Sequence, residues 1–122
     1  MAAANLIILY VENCTKSTAF YRDLLEREPD VAAPNFSSFT LADGMSLGLW
    51  TRANAQPPAV AGGAEGEIAF MVTTPAEIEA RLADWTSRGL PIAQPLTTMD
   101  FGPTFVALDP DGHRLRVCLF DA

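Results

Sequence analysis

Histidine is almost missing from this 122-residue chain: there is one, His113, and only two cysteines, Cys14 and Cys118. A structural zinc site takes about four Cys or His ligands, so the supply of donors excludes one. The two thiols lack C-x-x-C spacing and are read as reduced, with Cys118 packed in an apolar strand. Basic residues are also scarce. Eight Lys and Arg against fifteen Asp and Glu leave a net charge of −7, which speaks against a nucleic-acid partner, because phosphate binding requires a basic surface. No apolar run approaches the roughly 18 residues of a membrane span. The start, Met1 to Asn5, has no basic segment of the kind that opens a secretory signal. A cytoplasmic protein with no membrane partner is the expectation.

What is present is enough apolar sequence for a core, 49% hydrophobic residues against 19% charged, and a pattern that occurs twice. Leu6 to Val11 is apolar and β-rich, and Glu67 to Val72 repeats it. Each copy is followed by a helical stretch. In the first, Phe20, Tyr21, Leu24 and Leu25 fall on one face, Asn13 or Thr15 is placed to cap, and Pro29 is placed to end the helix. In the second, Ile78, Leu82 and Trp85 share a face. Thr74, Pro75 and Glu77 form a capping-box start, and Gly89 a C-terminal stop. Hairpins follow: Phe36–Leu41 with Met45–Trp50 around Asp43-Gly44, and Thr104–Leu108 with Arg114–Phe120 around Asp111-Gly112. A further strand is expected near Pro91–Gln94. Sliding Leu6 onto Glu67 also brings Tyr21 onto Leu82 and Leu24 onto Trp85.

The fold class expected is α+β. Two βαβββ modules form curved mixed sheets around a cavity, within one domain over residues 1–122: module one 5–50, a Pro/Gly-rich linker 51–66, and module two 67–121.

Two strings are specific. Ser17, Phe20, Tyr21 and Leu25 match an S-x-x-F-Y-x-x-x-L helix, and Asp109-Pro110-Asp111-Gly112-His113 resembles a DPDGN turn before a final strand. With the repeat, they make the chain resemble the vicinal oxygen chelate superfamily, which includes glyoxalases, extradiol dioxygenases and bleomycin-resistance proteins. Tyr10 to Asn13, Glu26 to Pro29 and Leu115 to Cys118 add a closer resemblance to the phenazine-antibiotic resistance proteins of that superfamily. The resemblance implies a homodimer.

In metal-dependent members, the resemblance implies, the ligands stand at positions matching Leu6, Gly48, Glu67 and Arg116. Leu and Gly offer no donor, and a guanidinium stays protonated. One carboxylate falls short of the three or so protein ligands of a catalytic site. His113, after the Asp-Gly turn, is expected in solvent. No metal, no cofactor and no catalytic residue are therefore expected. Glu67 and Arg116 either pair with each other or contact a ligand.

Strand parity puts Leu6 and Ile8, Gly48 and Trp50, Glu67 and Ala69, and Arg116 and Cys118 on shared faces. The expected ligand-binding residues are Trp50, Arg116, Glu67, Gly48, Ile8 and Cys118. Phe39 and Phe105 are added from neighbouring strands, and Asp100 and Phe101 from a rim loop at Thr97 to Gly102. The function expected is a small-molecule binding protein that sequesters a planar aromatic antibiotic or metabolite. The alternatives are a metal-dependent enzyme of the same superfamily and a non-catalytic dimeric scaffold. The acidic balance suits a cationic drug; Arg116 and the closer resemblance suit a neutral or acidic phenazine.

Overall fold

The structure, a computed structural model, describes residues 5–56, 67–99 and 101–119. Over these residues the order is β1 (Leu6–Val11), α1 (Cys14–Leu25), β2 (Val31–Ala32), β3 (Phe36–Ala42), β4 (Met45–Thr51), β5 (Glu67–Val72), α2 (Pro75–Ser87), β6 (Ile92–Met99), β7 (Gly102–Leu108) and β8 (Arg114–Leu119). The class is α+β. The chain divides into two compact units, Met1–Gly63 and Ala64–Ala122. Each carries a four-stranded mixed sheet, ordered β1-β4-β3-β2 in the first and β5-β8-β7-β6 in the second. The outer pairs β1–β4 and β5–β8 run parallel, and the others antiparallel. No described helix is long and apolar enough to cross a membrane.

Local chemistry sets the helix ends. Asn13, rather than Thr15, caps α1, its side-chain oxygen accepting from the Lys16 N–H at 3.0 Å. The helix stops before Pro29 because Glu26 turns left-handed at φ 53° while its N–H still reaches the Arg22 carbonyl. Thr74 caps α2 by accepting from the Glu77 N–H at 3.1 Å, with Pro75 in the first turn. The expected reciprocal half of the capping box is replaced: the Glu77 carboxylate accepts from the Thr73 hydroxyl at 2.7 Å. Gly89, at φ 82°, closes α2, with the Leu90 N–H bonded to the Trp85 carbonyl at 3.1 Å.

Each helix covers one face of its sheet. In the first unit, Thr18 of α1 meets Ser37 of β3 at 2.7 Å between hydroxyl oxygens, so Ser37 marks the covered face. Residues two apart on a strand share a face, and residues opposed across a pair share it too. Phe39, opposite Leu47, and Leu49, opposite Ser37, therefore lie beneath α1. In the second unit Trp85 makes edge contacts with Phe70 at 5.4 Å and Phe105 at 5.6 Å. This places Val117, opposite Phe105, on the covered face as well. Phe39 and Phe105 are thus fully buried core residues, and the expectation that they line a ligand face is corrected. Their parity is opposite to that of Gly48 and Arg116.

Two further readings change. The strand expected near Pro91–Gln94 runs to Met99, so Thr97 to Met99 belong to β6 rather than to a rim loop. The register of β6 against β7 shifts on both sides of Gln94, the second shift spanning Pro95, an arrangement that an edge strand tolerates. The segment read as a linker begins with structure: Thr51 ends β4, Arg52–Asn54 form a 3-10 turn, Arg52 pairs with Glu12 at 2.9 Å, and Ala55 is buried. Residues 57–66, Asp100 and Phe120 lie outside the described residues.

Truncating Phe39 or Phe105 to Ala empties a buried site and is expected to cost about 3–5 kcal/mol. Urea denaturation of each variant measures it, and a loss below about 1 kcal/mol would contradict their core placement.

Candidate functional site

The faces turned away from the helices hold Ile8, Gly48, Trp50, Glu67, Arg116 and Cys118, and the two sheets use them differently. In the first unit the helix-free face carries Leu6, Ile8 and Tyr10 of β1, Gly48 and Trp50 of β4, and Phe36 of β3. Ile8 lies opposite Gly48, and Tyr10 and Phe36 both lie opposite Trp50. Leu6, Ile8 and Tyr10 are 48%, 40% and 39% exposed. The Tyr10 and Trp50 rings are 6.3 Å apart and tilted by 44°. Gly48 has close neighbours over it. A Cβ at that position would come within 3.3 Å of the Phe36 ring and 3.4 Å of Ile8 Cγ1. The Phe36 ring thus fills the place of a side chain at position 48.

In the second unit the same face carries charged residues among apolar ones. By register Glu67, Ala69 and Met71 of β5 share it with Arg114, Arg116 and Cys118 of β8 and with Thr104 and Val106 of β7. Arg116 grips Glu67 through two parallel bonds, Nε to Oε1 and Nη2 to Oε2, each 3.0 Å. Its Nη1 donates to Gln94 Oε1 at 3.0 Å and to Thr104 Oγ1 at 3.2 Å. The fully buried Thr104 hydroxyl in turn donates to the Val117 carbonyl at 2.8 Å. Of the two roles that the sequence leaves open, the structure holds the pairing: Glu67 and Arg116 are bonded to each other. Arg116 lowers the Glu67 carboxyl below its ordinary value, first through the hydrogen bonds and then through its charge, with Arg114 adding to it; partial burial opposes them. The same pair raises Arg116.

These surroundings do not fit the metal that catalytic relatives would carry at positions 6, 48, 67 and 116. Leu6 and Gly48 bring no donor atom, and the space beside Gly48 is occupied by an aromatic ring. Both oxygens of the one carboxylate are engaged by a permanent cation. A divalent ion would have to displace that cation or sit beside it. A second acidic group, Asp109, Asp111 and His113 in the β7–β8 turn, has ligand atoms within 4.8 Å of one another, but its bonds are those of a turn lock. Asp109 Oδ1 accepts from the N–H groups of Asp111 and His113 at 2.9 and 2.8 Å, and Oδ2 meets His113 Nδ1 at 2.8 Å. His113 is therefore bonded and only 27% exposed, which corrects the expectation of a solvent position.

Of the other expected residues, Cys118 shares the face of Arg116 but is buried, its Sγ 3.8 Å from the Thr104 hydroxyl. Phe101 lies in the turn before β7 and is 39% exposed. Asp100 lies outside the described residues. Sequence reasoning passed over Tyr10, Phe36, Gln94 and Thr104. Tyr10 shares the parity of Leu6 and Ile8 and was legible; the others depend on cross-strand register.

Because the Glu67 carboxyl is held low when folded, the pair contributes stability above the ordinary carboxylate value of 4.5. That contribution is lost as pH falls through the lower folded value. Urea midpoints of the wild type and Glu67→Gln are expected to differ near neutrality and to draw together as pH falls below 4.5. A difference that does not shrink at any pH below 4.5 at which the protein stays folded would contradict it.

Comparison with known proteins agrees with this architecture. Residues 3–117 match the family model described as the Glyoxalase/Bleomycin resistance protein/Dioxygenase superfamily. The chain is 31% identical over 121 residues to the phenazine antibiotic resistance protein EhpR of Enterobacter agglomerans, covering 96% of this chain and 92% of that one. It is 44% identical to protein ATC0852 from Agrobacterium tumefaciens, whose solution structure superposes with a TM-score of 0.90 over the full length of both chains. A glyoxalase-related enzyme from Fulvimarina pelagi, 20% identical, superposes at 0.83 over 98% of this chain and 88% of that one and shares the fold. With duplicated βαβββ units, a family match over nearly the whole chain and a relative above 30% identity, this chain belongs to the Glyoxalase/Bleomycin resistance protein/Dioxygenase superfamily.

Proposed function

We propose that this protein binds and sequesters a planar aromatic antibiotic or metabolite, without metal-dependent chemistry. The observation that carries the proposal is the helix-free face of the first sheet. Tyr10, Phe36 and Trp50 surround a glycine there, with Leu6 and Ile8 exposed beside them. Exposed aromatic surface is costly to leave in water, and a flat heteroaromatic ligand recovers that cost by stacking. Each aromatic contact adds roughly 0.5–1.5 kcal/mol beyond area burial. The relative named for phenazine antibiotic resistance supports the ligand class. The engaged carboxylate of Glu67 supports binding over metal-assisted turnover. On this reading the two modules act as one functional domain, in a cytoplasmic homodimer.

The chain's two tryptophans make the test direct. Trp85 is buried under the second sheet, whereas Trp50 stands on the open face of the first. Titration with a neutral phenazine is expected to quench the emission of the wild type and to leave that of Trp50→Phe largely unchanged. Phe36→Ala is expected to weaken binding about tenfold. Absence of quenching by any planar aromatic compound, or a stoichiometric transition metal in the purified protein, would overturn the proposal.

A further inference from the structure

The helix-free face of the first sheet changes character along its strands. Cross-strand register sets its rows. The first row is aromatic: Tyr10, Trp50 and Phe36. Two residues along β3 from Phe36 comes Ser38, opposite Gly48, and two further on Thr40 stands opposite Ser46. Strand residues advance about 3.3 Å each, which puts Ser38 about 7 Å from the aromatic row and Ser46 about 13 Å from it. The side-chain hydroxyls of Ser38 and Ser46 are half-buried and have no hydrogen-bond partner among the described residues.

Thr40 brings a charge to that end. Asp30, just before β2, is held to β3 at two points. Its N–H donates to the Ser38 carbonyl at 2.7 Å, and its Oδ2 accepts from the Thr40 hydroxyl at 2.7 Å. Thr40 shares the parity of Ser38 and Phe36, away from α1, so the bond draws the carboxylate to the helix-free side. Asp30 is exposed, and its Oδ1 has no partner among the described residues. No described cation pairs with it. Lys16 and Arg22 belong to α1, which covers the other face; Arg27 follows α1 and makes no ion pair among the described residues; Arg52, beyond Trp50 at the aromatic end, is paired with Glu12. The charge in the β3–β4 turn, Asp43, is acidic as well.

A ring system seated on the aromatic row extends its substituents over the rows beyond. The groups present there are two hydroxyls, which donate or accept, and a carboxylate, which only accepts. We infer that this end of the first sheet is a subsite for a hydrogen-bond-donating substituent of the ligand, an ammonium group above all. Ser38, Ser46 and Asp30 are its specificity residues, and Thr40 is the positioning residue that holds the carboxylate on the face. An anionic substituent meets the Asp30 charge with no cation to offset it and is disfavoured. The inference rests on the proposed binding of a planar aromatic ligand, whose side chain it specifies, and it lies wholly within the first unit.

The test is calorimetry at neutral pH and about 0.15 M salt, where exposed charges more than about 8 Å apart are largely screened. Three ligands are compared: unsubstituted phenazine, and phenazines carrying an aminoethyl or a carboxyethyl side chain on the same carbon. The wild type is expected to bind the aminoethyl compound about tenfold more tightly than the carboxyethyl one. Asp30→Asn keeps an acceptor for Thr40 and removes the charge. It is expected to weaken the aminoethyl compound about threefold to fivefold and to leave unsubstituted phenazine within about twofold. Ser46→Ala is expected to weaken the aminoethyl compound about threefold. Asp23→Asn removes the same charge from α1, on the other side of the sheet, and is expected to move none of the three by more than about twofold. Carboxyethyl binding as tight as aminoethyl in the wild type would overturn the inference. So would an Asp30→Asn variant without loss, or with no greater loss than Asp23→Asn. In each case continued binding of unsubstituted phenazine leaves the proposed function standing. Failure of all three compounds to bind would instead overturn the proposed function, and this inference with it.

Discussion

A β-strand sends successive side chains to opposite faces, and a single helix can cover only one of them. Everything of interest in this chain follows from that constraint. In each unit the covered face takes the residues that must leave water: Phe39, Leu47 and Leu49 beneath α1, and Phe70, Phe105 and Val117 beneath α2. The uncovered face is released from packing and can be given chemistry. The same frame carries two chemistries, because the register of the two sheets is equivalent. Ile8 lies opposite Gly48 as Ala69 lies opposite Arg116, yet an aromatic ring overlies the first pair and a charged network crosses the second.

The equivalence extends to a substitution between strands. Phe36 and Thr104 hold corresponding places, one opposite Trp50 and the other opposite Cys118. Where position 48 has no side chain, Phe36 leans into the space; where position 116 has a long one, Thr104 is small and supplies an acceptor. These pairs make sense only jointly. Gly48 with a small partner would leave a hole, and Arg116 beside a phenylalanine would lose a hydrogen bond.

Much of this was legible in the sequence. Leu6–Val11 and Glu67–Val72 read directly as strands because each is a short β-rich apolar run bounded by polar or turn-forming residues. Asn13 and Thr74 announced helix starts through side-chain oxygens placed to accept from the first turn. That Glu67 and Arg116 come together was implied by the resemblance, which puts both at ligand positions, while parity placed each only relative to its own strand. Parity within one strand says nothing of its neighbour, however, and Phe39, Phe105, Phe36 and Gln94 were misjudged or passed over for that reason. The end of α1 was assigned to Pro29 because proline is a strong breaker, whereas Glu26, a residue with no such signature, adopts the left-handed turn first. The length of β6 was hidden by Pro95, which argues against a regular strand but is accepted at an edge where the register is already broken.

That broken edge has a consequence for the life of the protein in a crowded solution. An exposed sheet edge is a template onto which another chain can add a strand. The corresponding edges of the two sheets are β2, two residues long, and β6, interrupted by a proline and two register shifts. Neither presents the unbroken row of amide groups that strand addition requires. The chain can therefore carry apolar residues on an uncovered sheet face without that side of either sheet seeding fibrillar growth.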